Sequence, residues 1–544
     1  MNTPKKTLSK TLPIPVKKTA APLRKSAAAL LTALLAACAV GPDYRQPAAP
    51  AVPAGTETAM NVAATDGVYS AANPQLQFWT LFDDHELSTL VDRALAANHD
   101  LRIALANLNE ARALRREARF DYLPTITAQG GYTHALQSAD QAPGFDRDQR
   151  DTGIYNGSFD AYWELDLFGR VRRANESAKA SEEALAANLH DAQISVAAEV
   201  ARNYFELRGA QERLAVARRN AANQTETTRY AEARFDAGGG TEFDVSRARA
   251  QLSTTLAVIP VIETTVENTI HRLSVLTGQV PTALQTELRP AVALPELPRV
   301  TSIGRPEDLL RRRADVRSVE RRLAASTADI GVATADLFPR VTFTGEVGFA
   351  VKDLDNAGHS VGETWGYGPG ISWAALDLGR VQARIDQTKA RRDGSLALYE
   401  QTVLRALEET ENTLVAYGRS REQLDHLRDS VVASDRAAEL ARIRYEGGAS
   451  SFLDVLDAER SQLEAQDRLA QARTGSATGL IALYKALGGG WNEVPDKSLN
   501  DQPVAVSVAA QKARLANAAV PARTTTSASQ ISFNTTYLPH SAAP

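Results

Sequence analysis

Arg234-Phe235-Asp236-Ala237-Gly238-Gly239, followed by Phe243-Asp244-Val245, recurs 210 residues later as Arg444-Tyr445-Glu446-Gly447-Gly448-Ala449, followed by Leu453-Asp454-Val455. Upstream, Leu165-Asp166-Leu167-Phe168-Gly169-Arg170-Val171 recurs as Leu376-Asp377-Leu378-Gly379-Arg380-Val381, and Tyr122-Leu123-Pro124 recurs as Leu337-Phe338-Pro339. A period of this length is too long for a solenoid unit, so the chain carries two copies of one large half. Each half reads helix, two strands, very long helix, glycine turn, helix.

Proline sets the helix lengths. None occurs from Phe168 to Ile259 or from Gly370 to Trp491. The stretches Gly169–Ala237 and Gly379–Gly447 hold 69 residues each. Fully helical, each would be roughly 100 Å long. Such helices need coiled-coil partners rather than a globular core. The shorter segments Thr241–Thr277 and Pro306–Leu337 hold 37 and 32 residues, so the two stacked end to end match one long helix. Pro260 predicts a kink in the first of them. The Pro-rich segment 279–305 falls at the waist between the halves.

The strands precede the long helices. Val341, Phe343, Val347, Phe349 and Val351 alternate with Thr342, Thr344, Glu346 and Gly348. Phe159, Ala161, Trp163 and Leu165 alternate with Asp160, Tyr162, Glu164 and Asp166. A period of two over such runs fits a membrane strand with lipid on one side and water on the other, as well as a half-buried soluble strand. Four strands cannot close a spanning barrel, and open edges are not tolerated in lipid. Spanning strands therefore require several chains in one barrel.

The N-terminus has the pattern of an export signal. Lys5, Lys6, Lys10, Lys17, Lys18, Arg24 and Lys25 precede an apolar run, Ala27–Ala37, that is too short to span a bilayer. The run ends in Leu35-Ala36-Ala37-Cys38, and Cys38 is the only cysteine of the chain. This resembles a bacterial lipobox, which implies a covalent lipid on Cys38 as the only prosthetic group. Ala39, which is not Asp, favours the outer membrane under the bacterial sorting rule. Removing residues 1–37 takes seven positive charges from a chain of net charge −4 and leaves −11, a poor balance for nucleic acid.

Five blocks carry a family resemblance: Cys38-Ala-Val-Gly-Pro-Asp-Tyr44; Phe78-Trp79 through Ala94-Leu-Ala-Ala-Asn-His-Asp-Leu-Arg102; Trp163-Glu-Leu-Asp-Leu-Phe-Gly-Arg170; Pro306-Glu-Asp-Leu-Leu-Arg-Arg-Arg-Ala-Asp-Val-Arg317; and Phe452-Leu-Asp-Val-Leu-Asp-Ala458. Together they resemble the outer-membrane factors of tripartite efflux systems, in the lipoprotein branch of TolC/OprM-like and NodT-like channels. One departure is Ala314, where the family usually has Pro. The resemblance implies a mainly α fold with a transmembrane β part, in which three chains build a shared β-barrel and a periplasmic tunnel. It also implies a periplasmic adaptor, an inner-membrane pump of the resistance-nodulation-division type, and a passive exit duct for small molecules.

The expected organisation is a lipoprotein signal at 1–37 and an extended tether at 38–75. The first repeat runs over 76–278, the waist linker over 279–305, the second repeat over 306–494 and a flexible tail over 495–544. By resemblance, Asp454 and Asp457 narrow the periplasmic entrance as acidic rings, with Leu453 an apolar neighbour. Asp244 and Tyr445 match positions that bond neighbouring helices in the closed state. Ser450 stands where TolC has an Arg, so hydrogen bonds or ring packing would take the place of a salt-bridge lock there. From the residues alone, Asp244 reads equally well as a helix-start acid, and Asp454 and Asp457 as two acids on a solvated face.

Gly238, Gly239, Gly240, Gly447 and Gly448 lack the Gly-Lys-Ser/Thr ending of a phosphate loop and read as tight interhelical turns. The eight His residues form no metal-ligand cluster in sequence, and no catalytic constellation can be argued, so no enzyme is expected. The run Arg311, Arg312, Arg313, Arg317, Arg321, Arg322 reads as a solvated helix face. Two other readings use the same pattern: the outer-membrane duct of a type I protein secretion system, and a lipid-anchored coiled-coil rod without a pore.

Overall fold

A computed structural model describes residues 39–47, 69–70, 72, 74–75, 77–298, 301–304 and 306–489. The expected signal, Cys38, much of the tether and the tail at 495–544 lie outside the described residues.

The first half begins with β1 (Tyr69–Ser70), a 3-10 turn at Phe78–Phe82, α1 (His85–Ala97) and α2 (His99–Phe120). The hairpin β2 (Thr125–Leu136) and β3 (Asp151–Leu165) follows, with the short α3 (Arg147–Arg150) in its loop. Next come α4 (Arg170–Asp236, 67 residues) and α5 (Glu242–Leu276). The waist holds α6 (Gln285–Leu288) and β4 (Thr301–Ser302), which pairs parallel with β1. The second half repeats the order: α7 (Pro306–Arg312), α8 (Ala314–Ala335), β5 (Arg340–Val351), β6 (Glu363–Ser372), α9 (Leu378–Glu446, 69 residues) and α10 (Phe452–Ala486).

Neighbour relations order the helices into one layer with two levels. Beside the glycine turns the order is α5–α4–α10–α9. Beside the sheet it is α2–α4–α8–α9. Helix α4 therefore runs beside four shorter helices, α2, α5, α8 and α10, and α9 beside two, α8 and α10. The sheet order is β2–β3–β5–β6, antiparallel throughout. Among the described residues each level ends in β2, α2 or α5 at one side and in β6 or α9 at the other.

Register places the two alternating runs on matching faces. Phe159 sits opposite Val347 and Trp163 opposite Phe343, so one face of the sheet is apolar. Asp160 sits opposite Glu346 on the other face. Where helices turn into strands, Trp163 Nε1 donates to Tyr122 O at 3.1 Å and Trp373 Nε1 donates to Leu337 O at 3.0 Å, one bond per half. Tryptophan at such a boundary matches the preference of its ring for a membrane interface.

The main core lies at the waist. Val196 through Ala217 of α4 packs with Phe78, Trp79 and Phe82, with Leu284, Leu288 and Ile303 of the linker, and with Leu480, Leu483 and Tyr484 of α10. Arg208, fully buried, pins the linker there. It donates to Pro290 O at 3.1 Å and to Gln211 Oε1 at 2.8 Å, and it ion-pairs with Glu86. A buried Arg is tolerated because its charge is paired and both terminal amino groups are bonded inside, while its Nε has no partner.

Two joints mark where short helices stack, with partners other than those expected: α5 meets α2 and α10 meets α8, so Thr241–Thr277 does not stack on the segment from Pro306. At the first, Asn98 caps α2 by accepting from Asp100 N and Leu101 N, and it donates to Leu276 O at 3.0 Å, the last turn of α5. At the second, Arg313 precedes α8 and donates to Ala486 O at 2.8 Å, the last turn of α10. The single helix expected over Pro306–Leu337 is thus broken. Arg313 takes φ −67 and ψ 124, which ends α7 and lets α8 start at Ala314. Pro260, by contrast, does not end α5, which runs on through it; Thr264 Oγ1 donates to Pro260 O at 2.8 Å.

The described part of the tether is held against the helices. Val40 N donates to Phe168 O at 3.1 Å, and Arg173 of α4 donates to Val40 O and pairs with Asp43 at 2.7 Å. The Tyr44 hydroxyl donates to Glu320 of α8, and the Arg321 guanidinium lies over the Tyr44 ring. Burial and the Glu320 carboxylate push the Tyr44 hydroxyl upward from its ordinary value.

Candidate functional site

The two glycine turns are built alike. After α4, Gly238 N donates to Phe235 O and Gly239 N to Arg234 O, both at 2.9 Å. After α9, Gly448 N donates to Tyr445 O at 3.0 Å and Ala449 N to Arg444 O at 2.8 Å. This is the paired bonding that closes a helix through a left-handed residue. That residue is Gly238 (φ +76) in one turn and Gly448 (φ +73) in the other. Gly447 has φ −77, and Ala449 stands where the first turn has Gly239, so the five glycines are not equivalent. At Gly240 a Cβ would approach Phe235 N to 3.1 Å, so that position needs a small residue for space.

Both returning helices start with a capping box. Thr241 accepts from Asp244 N, and Asp244 Oδ2 accepts from Thr241 Oγ1 at 2.7 Å. Ser451 accepts from Asp454 N, and Asp454 Oδ2 accepts from Ser451 N at 2.9 Å. Helix-start chemistry therefore accounts for the bonding of Asp244 and Asp454 within one chain. Within the chain Asp244 bonds to Thr241, the N-cap of its own helix.

Leu453, Asp454 and Asp457 are exposed on one face of α10, while Phe452, Val455, Leu456 and Glu459 are buried on the other. Asp457 pairs with Arg460 at 2.7 Å, one turn on. Tyr445 packs edge-on against Tyr230 of α4 and against Phe452 of α10, with the Arg234 guanidinium 5.0 Å above its ring. Ser450 Oγ is buried with no hydrogen-bond partner.

Two features were not read from the sequence. Arg460, which neutralises part of the Asp457 charge, stands three residues on and was visible as an i,i+3 partner. Glu459, buried on the opposite face from Asp457, accepts from Arg442 at 2.9 Å and from Thr227 Oγ1 at 2.8 Å, tying α10 to α9 and α4. Above it, the seam between α4 and α10 stays polar. Asn220 donates to Gln466 at 3.0 Å, Gln466 and Gln462 donate to Asp435 of α9, and Arg213 pairs with Asp467 at 2.7 Å.

A two-level helical layer, four strands with one apolar face and turns presenting exposed acids define a membrane-channel class of protomer. The outer membrane efflux protein family matches residues 90–279 and 306–489. The solvent efflux pump outer membrane protein SrpC of Pseudomonas putida is 33% identical over 464 residues, covering 84% of this chain and 97% of SrpC. The outer membrane protein OprJ of Pseudomonas aeruginosa is 33% identical over 477 residues, covering 86% of this chain and 96% of OprJ. Among solved structures, the outer-membrane channel OprN is 44% identical with a TM-score of 0.78, covering 84% of this chain and all of OprN. The open state of the MtrE outer membrane channel of Neisseria gonorrhoeae is 30% identical with a TM-score of 0.71, covering 83% of this chain and 98% of MtrE.

The chain belongs to the outer membrane efflux protein family. It is an outer-membrane efflux channel protein, with its four strands at the membrane and its helices in the periplasm.

Proposed function

We propose that three copies of this chain close into one duct, the exit channel of a tripartite efflux system. The observation that carries this reading is the open layer. Paired side by side, β6 of one copy meets β2 of the next, giving twelve strands and no exposed edge. The same operation brings α9 against α2 and α5. Leu404, Val415, Val432 and Ile443 are more than half exposed on α9, as are Ile103 and Leu114 on α2 and Phe243 and Val261 on α5. These contacts join two different faces, so they close only as a ring.

In this reading Cys38 carries the lipid anchor. The glycine turns face a periplasmic adaptor, and a pump of the resistance-nodulation-division type supplies the energy. SrpC is named for a solvent efflux pump, which supports small molecules as cargo over exported proteins. Asp454 and Asp457 with Leu453 form the periplasmic gate. Three symmetry copies of each acid near one axis attract cations and repel one another. Arg460 tempers the Asp457 ring. Tyr445 and the Glu459–Arg442 pair hold α10 to its neighbours in the closed state.

Single-channel recording in planar bilayers tests this. The native protein should give small, cation-selective steps. The Asp454→Ala, Asp457→Ala double variant should give larger steps with weaker selectivity. Steps of unchanged size and selectivity would remove the two acids from the gate.

A further inference from the structure

Just below the sheet, α4 runs between two taller neighbours. Ala174, Ser177, Ala178 and Ser181 are spaced three or four apart and share one face of it. Helix α2 stands on one side, where Asn175 donates to Ala118 O at 2.6 Å and Arg115 pairs with Glu182 at 2.7 Å. Helix α8 stands on the other, where Arg321 pairs with Glu183 at 3.3 Å. The small side chains of α4 make a low floor, and the walls enclose a groove of about 510 Å³. Leu114 of α2 and Val332 of α8 give it apolar walls. One exposed acid stands in each wall, Glu110 of α2 and Asp329 of α8. Among the described residues neither carboxylate has an ion-pair partner.

Two observations turn this groove toward the lumen of a ring. The tether meets α4 at Arg173 and Ala180, on a different stripe of the helix. A lipid on Cys38, one residue before the tether's described part, reaches the bilayer only from outside the barrel, so the tether marks the outer face. Independently, Arg170, one turn before Ala174, donates to Glu164 at 2.8 Å, and Glu164 lies on the polar face of β3 with Asp160. The second half has no copy of the groove. At the 210-residue offset, α9 carries Arg384, Gln387, Thr388 and Arg391 in place of Ala174, Ser177, Ala178 and Ser181. Each chain therefore supplies one such groove.

We propose that this groove is a binding site on the duct wall for an apolar organic cation in transit. Its hydrocarbon lies on the Ala and Ser floor, and its charge lies near Glu110 and Asp329. The inference rests on the duct reading and names a class of cargo for which the wall has affinity. Burial of apolar surface drives the contact. The two carboxylates select the sign, because an anion of the same shape meets like charge there. The groove is open to water, so the affinity is modest and falls with added salt. Modest affinity suits a path that must release what it binds.

The test is equilibrium dialysis of the full-length protein in amphipol against tetraphenylphosphonium, with tetraphenylborate as an anion of the same shape. The native protein should bind a single phosphonium per chain and little borate. The Glu110→Gln, Asp329→Asn double variant should weaken phosphonium binding about tenfold and raise borate binding. Ala178→Phe fills the floor and should abolish the binding of both. Equal binding of the two ions by the native protein overturns the site, as does phosphonium binding that either variant leaves unchanged. Single-channel currents separate the site from the duct. A protein that conducts and binds no phosphonium overturns the site and keeps the duct. A protein that binds phosphonium but conducts neither as the native chain nor as the Asp454→Ala, Asp457→Ala variant overturns the duct, and the bound ion is then not cargo.

Discussion

The two long helices share length, turn and register, yet differ in surroundings. Of the 67 residues of α4, 28 are buried; of the 69 residues of α9, only 10 are. The difference is one of position. Helix α4 is flanked by α2 and α5 on one side and by α8 and α10 on the other. Helix α9 packs along α8 and α10 and meets Tyr69 of β1 at Leu414 and Tyr417, and most of its remaining surface is exposed. The duplication thus supplies two similar hairpins, but chain closure satisfies only one. In the proposed ring the other is completed by a second copy, which covers its apolar face.

The largest expected effect attacks the open side. Leu404→Glu with Val415→Glu places two charges on the exposed apolar face of α9 and should abolish assembly in detergent, read by size-exclusion chromatography with light scattering. Survival of the assembly would mean that α9 does not face a second copy. Next in size is the satisfied helix. Arg208→Ala removes a fully buried guanidinium from Gln211, Pro290 O and the half-buried Glu86 and should cost about 2–4 kcal/mol, read by thermal unfolding. A cost below about 1 kcal/mol would show that the waist does not depend on this pin.

A smaller effect separates the turn glycines. Gly238→Ala and Gly448→Ala should each cost about 1–2 kcal/mol, because both sit at positive φ. Gly447→Ala should be close to neutral, since its φ is negative. Equal costs at Gly447 and Gly448 would contradict the turn geometry.

The smallest effect is a pH dependence at the second joint. The Asp191 carboxyl is raised by burial and by Asp315. A folded-state value above the unfolded one means that its protonation favours the fold. This contribution is full below the ordinary carboxylate value and is lost as pH rises through the raised one. Asp191→Asn should therefore remove that slope and leave the protein slightly more stable near neutral pH, read by denaturant midpoints across pH. An unchanged slope would place the titration elsewhere.

Much of this architecture is written locally. Proline-free stretches gave both long helices within a residue or two of their ends, and period-two alternation gave β3 and β5 and their apolar faces. The capping boxes at Thr241 and Ser451 could be read as a Ser or Thr three residues before an acid. What the sequence left hidden depends on distant partners. The break at Arg313 reflects bonds to Ala486 and Glu409, 173 and 96 residues away. The clamp on residues 39–47 depends on Arg173 and Glu320, and the unequal burial of two similar helices depends on neighbour order. At the gate, resemblance pointed to Asp454 and Asp457, while the bonds within one chain show helix capping for Asp454 and an Arg460 pair for Asp457. Only a ring of copies would bring like charges together.

The central claim, that copies of this chain complete each other's open layer, is tested most directly by native mass spectrometry of the detergent-extracted protein. The account predicts a single dominant species of three chains that falls to monomers when Leu404 and Val415 are both replaced by Glu. A native protein that remains a stable monomer would contradict it.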